Sequence, residues 1–116
     1  MRLHITCVAL ALVGCSDTSG MQNEAVIEHI EQVVKLPEGA GKLEDYARYY
    51  AAQGDNIVGV YTYSVGQRYD LPTGKRRWLT DSRDLPSIMD GGCSVVEVTY
   101  NLATKRVHEI FCHGEA

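Results

Sequence analysis

The sequence predicts one α+β domain in which two N-terminal helices pack on one face of a small antiparallel sheet of about four strands, arranged as two hairpins. Two observations carry this prediction. Apolar residues recur with a helical period up to about residue 53, and from residue 57 onward the chain alternates as strands do. A length of 116 residues and a hydrophobic content of 45% suit a single globular core.

The first predicted helix runs from Asn23, a favourable N-cap residue, to about Lys35. Its apolar face is expected to contain Val26, Ile27, Ile30, Val33 and Val34, and its polar face Glu24, Glu28, Glu31 and Gln32. Leu36 and Pro37 mark its end, because the residue before a proline disfavours the helical conformation.

The second predicted helix runs from Leu43 to Gln53, after a glycine-rich loop of residues 38–42. Leu43, Tyr46, Ala47 and Tyr50 are spaced to form its inner stripe. Gly54 is then a plausible C-terminal cap.

Four strands are predicted after this point, in two antiparallel hairpins. Residues 57–65 and 76–80 are rich in β-forming side chains, and a turn at residues 70–74 separates them. Residues 93–100 and 105–112 form the second hairpin around residues 101–104.

The second hairpin brings two cysteines together. If its turn is symmetric about Leu102 and Ala103, Cys93 lies directly opposite Cys112, at a Cα separation of about 4.5 to 5.5 Å that a disulfide spans. This register also aligns Val98 with Val107 and Glu97 with His108, and it places Val96, Val98, Tyr100, Val107 and Phe111 on the core face. A four-residue loop ending in a bulge would shift the pairing by two residues, so both registers stay open.

The N-terminus has the pattern of an export signal. Arg2 precedes an apolar run, Ile5 to Val13, that is too short to span a bilayer. The run ends in Leu12, Val13, Gly14 and Cys15, which resembles the lipobox of bacterial lipoproteins. The alternative is an uncleaved core helix, which the lack of any polar face from Cys7 to Val13 disfavours.

The lipoprotein resemblance implies a processing scheme. Residues 1–14 are then a signal peptide, Cys15 carries diacylglycerol and a fatty acid such as palmitate, residues 15–22 form a tether, and residues 23–116 form the domain. Lipid chains at Cys15 would anchor the protein firmly, since each buried methylene contributes about 0.8 kcal/mol. Ser16, rather than Asp, follows the cysteine, which in this family implies the outer membrane, facing the periplasm.

Charge narrows the range of partners. Removal of residues 1–14 takes away Arg2 and no acid, so the mature chain has a formal charge of −5. This excess of acid argues against nucleic-acid binding, and no basic patch is large enough to hold the chain on anionic lipid. We therefore expect membrane attachment through the lipid at Cys15 alone.

The same resemblance removes Cys7 and acylates Cys15, which leaves Cys93 and Cys112 to form a disulfide in an oxidising compartment. Two alternatives stay open at this stage. Cys93 and Cys112 with His113 and His108 are potential zinc ligands, although their spacing is not that of usual zinc sites. Cys93, which follows a glycine turn, is also a candidate nucleophile supported by a histidine.

The densest basic cluster is Lys75, Arg76 and Arg77 beside Trp78. Arginine and tryptophan are enriched at binding hot spots, so Arg76, Arg77 and Trp78 are candidates to bind a carboxylate, a phosphate or an acidic loop of a partner. The alternative is a solvated turn with Trp78 packed under the helices.

No catalytic motif stands out in the sequence, and no cofactor or resident metal is expected. We expect a non-enzymatic envelope lipoprotein that acts as a binding or accessory module, with another envelope protein as its partner. A rival hypothesis is a small periplasmic hydrolase or metal-dependent enzyme that uses Cys93, His108 and Glu97. A third is a purely structural spacer.

Overall fold

The computed structural model describes residues 20–63, 70–88 and 91–114. A helix, α1, covers residues 20–33 and precedes a five-stranded sheet. Its strands are β1 (Ala47–Gln53), β2 (Asn56–Thr62), β3 (Arg76–Leu79), β4 (Gly92–Asn101) and β5 (Arg106–His113), with short 3₁₀ turns at Leu43–Asp45 and Ser82–Asp84. The spatial order is β3-β1-β2-β4-β5; β3 and β1 are parallel, and the other neighbours are antiparallel.

The prediction of two helices on a four-stranded antiparallel sheet is therefore wrong. The described residues contain one helix and a mixed five-stranded sheet, and residues 47–53, predicted as helical, form β1. Residues from Ala47 to Ala51 are buried on both faces of β1. This is expected for a strand in a sheet that is covered on both sides. Gly54, at φ 61°, and Asp55 form the two-residue loop of a hairpin that pairs Gln53 with Asn56.

The predicted hairpin between residues 57–65 and 76–80 is also wrong. β2 pairs with β1 on one side and with β4 on the other, which leaves β3 to join β1 in parallel. Trp78 of β3 lies beside Tyr50 in this pairing. A parallel neighbour needs a long connection, and local turn signals do not encode one.

α1 covers one face of the sheet. The buried core on this side consists of Ile27, Ile30, Tyr46, Tyr50, Ile57, Tyr61, Val96, Val98 and Tyr100. The ring of Tyr50 packs so closely over Gly59 that a Cβ atom at that position would lie 2.9 Å from its Cε1. Three details of the helix prediction fail: Asn23 lies inside α1, Val33 is exposed, and Glu31 turns toward the sheet.

On the other face of the sheet, the described residues that cover it come from loops and from the 3₁₀ turn at Ser82–Asp84. Leu71 packs on Ala47 and Tyr49, and Leu79 and Leu85 lie against this cluster. A second small cluster joins Val58, Val60 and Val95 to Leu85 and Ile88. The segments 70–72 and 80–88 thus close this side of the sheet.

The β4–β5 hairpin and its disulfide are confirmed. Cys93 and Cys112 are bonded, with their Cα atoms 4.6 Å apart. The symmetric register is wrong, because bulges between Gly92 and Val96 and between Thr99 and Tyr100 make Val96 the ladder partner of Cys112.

The predicted alignments within this hairpin change accordingly. Val98 pairs with Ile110, and Glu97 pairs with Phe111 rather than with His108. Phe111 consequently lies on the face away from α1 and is 40% exposed. Near the turn the alternative register holds, since a four-residue loop ending at Lys105, with φ 59°, pairs Asn101 with Arg106.

Candidate functional site

Arg76, one of the predicted binding residues, is engaged by α1. Its Nη2 atom donates to Glu24 at 2.8 Å and to Glu28 at 3.3 Å, and its Nη1 donates to Glu31 at 2.9 Å. Partial burial lowers the pKa of Arg76, but the carboxylates of Glu31 and Glu24 outweigh it and raise the pKa above its ordinary value. Arg76 therefore binds carboxylates, and they belong to its own chain.

Arg77 and Trp78 point to opposite faces of the sheet, as successive strand residues do. Arg77 is 45% exposed and donates to Asp70 at 3.1 Å. Trp78 is half-buried and packs against the core under α1. The structure thus separates the three predicted residues, and Arg77 is the member most available to a partner.

Glu31 is the centre of a buried polar network between α1 and β1. Its Oε2 atom accepts from Arg48 Nε at 2.8 Å and from the Tyr50 hydroxyl at 2.7 Å. The Arg48 guanidinium also donates to the carbonyl of Leu43 at 2.6 Å. Arg48 is only 7% exposed, so the carboxylate of Glu31 neutralises a cation that is almost removed from water.

Two tyrosines extend this network into the core. The hydroxyls of Tyr50 and Tyr61 lie 2.8 Å apart. Burial raises the pKa of both phenols well above the ordinary value, so both stay protonated and serve as hydrogen-bond donors. Among the described residues, every buried side-chain nitrogen or oxygen has a hydrogen-bond partner. The arrangement holds α1 on the sheet.

Glu97 meets His113 instead of His108. Glu97 Oε1 lies 2.9 Å from His113 Nε2, and the carbonyl oxygen of Ile88 lies 2.5 Å from His113 Nδ1. Both partners are acceptors, so both ring nitrogens donate only when the imidazole carries two protons. In that form His113 ties the segment around Ile88 to the sheet.

The residues of the rival enzyme hypothesis are not assembled. Cys93 is disulfide-bonded, Glu97 contacts His113, and His108 is exposed on β5. Within the described ranges there is no group of three or more His, Cys, Asp or Glu side chains placed to hold a metal ion.

A small cleft between α1 and the β4–β5 turn was not anticipated from the sequence. It has a volume of about 300 Å³, and the described residues that line it are Ala25, Val26, His29, Tyr100 and Lys105. His29 Nδ1 lies 2.6 Å from the Tyr100 hydroxyl, and the two rings meet edge to face. No pattern in the sequence predicts this pair, because its members are 71 residues apart.

Comparison with protein-family models, curated proteins and solved structures finds no match to this chain. Cys15 and the rest of the lipobox lie outside the described residues. In the part of the chain that is described, no helix combines the length and apolarity that crossing a bilayer demands.

Proposed function

We propose that this chain is the precursor of an envelope lipoprotein, cut before Cys15 and anchored by lipid there, whose domain is a non-enzymatic binding or accessory module. The observation that carries the proposal is the Cys93–Cys112 disulfide. Structural disulfides persist in oxidising compartments and are rare in the cytosol. A bridged pair of cysteines therefore supports export, and the lipobox-like sequence supplies the attachment site.

The position of α1 bears on how such a protein would sit at a membrane. Its described part begins at residue 20, so residues 20–22, assigned above to the tether, are helical. The chain from Cys15 to residue 20 spans at most about 18 Å when fully extended. A lipid at Cys15 would therefore hold the domain close to the bilayer surface.

Arg77 is the proposed contact to a protein partner in the envelope. Of the three predicted binding residues, Arg77 is the exposed one. Its ion pair with Asp70 is at the surface, where such pairs contribute about 1 kcal/mol or less. An acidic group of a partner can displace Asp70 at little cost. The proposal does not extend to catalysis, since Cys93 is disulfide-bonded and Glu97 contacts His113 rather than His108.

Mass spectrometry of the protein purified from membranes tests the anchoring. We expect a mature chain that begins at lipid-modified Cys15 and has two protons fewer than the reduced form, from the bond between Cys93 and Cys112. A Cys15→Ala variant serves as the control, because it should lose membrane association and keep the disulfide. A native protein that begins at Met1, without lipid and with free thiols, would contradict the proposal.

Affinity capture from detergent-solubilised membranes tests the partner surface. Arg77→Ala should lose partners that the wild-type protein retains. Arg106→Ala is the control, since Arg106 is also an exposed arginine but lies on β5, at the opposite edge of the sheet from β3. Equal recovery of partners with Arg77→Ala and with wild type would remove this surface from the proposal.

A further inference from the structure

The cleft between α1 and the β4–β5 turn combines apolar walls with a few convergent polar groups. Ala25 and Val26 supply apolar wall, and His29, Tyr100 and Lys105 supply polar atoms. Ligand sites for small molecules have this composition, and about 300 Å³ is at the lower end of their volumes. The size suits a ligand of few heavy atoms.

Lys105 is the only cationic side chain among the described residues that line this cleft. Its backbone adopts φ 59°, a left-handed conformation that is uncommon for residues other than glycine, asparagine and aspartate. Such local strain persists where the surrounding structure imposes it, and it concentrates at functional positions. The turn thus fixes a lysine, at some conformational cost, at the rim of an apolar cleft.

The His29–Tyr100 pair supplies a second polar group. Desolvation raises the pKa of Tyr100, so its hydroxyl stays protonated and is able to donate to His29 Nδ1. In the tautomer in which Tyr100 donates to Nδ1, the ring proton of His29 is on Nε2, for which the described residues offer no hydrogen-bond partner. The side chains of one lysine and one histidine therefore line the same small cleft.

From this arrangement we propose that the cleft binds a small monocarboxylate with an apolar body. The carboxylate pairs with the Lys105 ammonium and accepts from His29, and the apolar body lies against Ala25 and Val26. This site concerns the domain alone, and it stands whether or not Cys15 carries a lipid.

Titration of the full-length mature protein with benzoate, followed by the NMR signals of the His29 and Tyr100 rings, tests this proposal. We expect saturable shifts in the millimolar range, as for other weak fragment ligands. Lys105→Asn removes the charge and keeps a residue type that tolerates the left-handed backbone. We expect it to weaken benzoate binding about tenfold, as loss of a charged hydrogen bond does. Tyr100→Phe should weaken it less, and Arg106→Gln, a neighbouring cation outside the cleft, should leave it unchanged.

Three results would overturn the proposal. One is the absence of any saturable shift with benzoate. The second is equal binding of benzamide, which has the same apolar body and no charge. The third is an equal loss of affinity in Arg106→Gln, which would assign the attraction to general surface charge. None of these results bears on the lipid at Cys15, so the two proposals fail separately.

Discussion

Removal of the Glu31 carboxylate is the most informative perturbation of this fold. Glu31 accepts hydrogen bonds from Arg48, Tyr50 and Arg76, at distances between 2.7 and 2.9 Å, and its side chain is 13% exposed. In Glu31→Ala the Arg48 guanidinium stays buried, and among the described residues it retains only the backbone carbonyls of Leu43 and Tyr46 as partners.

The size of the effect follows from the burial of the cation. Breaking a buried ion pair by removing one member costs about 3 to 5 kcal/mol, because it leaves an uncompensated charge. Glu31→Gln keeps the shape and one acceptor oxygen, so we expect a smaller loss of about 2 kcal/mol. Glu28→Ala is the control: Glu28 also contacts Arg76, but its side chain is 62% exposed, and we expect a change within about 1 kcal/mol.

Urea unfolding followed by far-UV circular dichroism measures these differences in the free energy of unfolding. If Glu31→Ala does not fold, Glu31→Gln provides the comparison with Glu28→Ala. The reasoning is refuted if replacement of Glu31 costs no more than replacement of Glu28, because the network would then add nothing beyond a surface contact.

Three further predictions concern other parts of the core. Burial raises the pKa of Tyr50 and Tyr61 above the unfolded value of about 10, so the stability they contribute is intact below that pH and is lost as the pH rises above it. Absorbance at 295 nm should show these phenols ionising together with the loss of the circular dichroism signal; full ionisation of a folded chain would contradict this. Reduction of the Cys93–Cys112 bond should lower the free energy of unfolding by about 3 kcal/mol in urea titrations with and without reductant, and an unchanged midpoint would show that the bond is energetically neutral. Gly59→Ala should cost about 1 to 3 kcal/mol, because the new methyl group meets the Tyr50 ring; a thermal melt equal to that of wild type would mean that the ring moves aside freely.

The wrong helix at residues 43–53 shows where the sequence pattern is ambiguous. Leu43, Tyr46, Ala47 and Tyr50 fit a helical stripe, yet Tyr46 and Tyr50 also fit a strand period on the face toward α1. A strand buried on both faces loses its alternation, so periodicity cannot distinguish the two. The following Gly54–Asp55 pair was the stronger signal, because it suits a two-residue hairpin loop and β-forming residues begin soon after it, at Ile57.

Local patterns predicted local structure well and distant pairings poorly. α1, the β4–β5 hairpin and its disulfide all follow from short stretches of sequence. The parallel pairing of β3 with β1 depends on contacts across the whole domain, and the bulges that set the β4–β5 register have no distinctive residue signal here. The same limit applies to the cleft, since it forms only when α1 lies on the sheet.

The parallel pairing of β3 with β1 also bears on the order of folding. β1 and β2 are joined by two residues and β4 and β5 by four, so each hairpin closes within microseconds. β3 follows β2 in the sequence but pairs with β1, so a longer loop must close before this pair forms. Closing a longer loop costs more conformational entropy, and the pairing is therefore slower. We therefore expect the four-residue edge strand β3 to dock last and to open first. The amides of Arg77 and Leu79, which face β1 in this register, should exchange faster than the paired amides of the central strands β2 and β4.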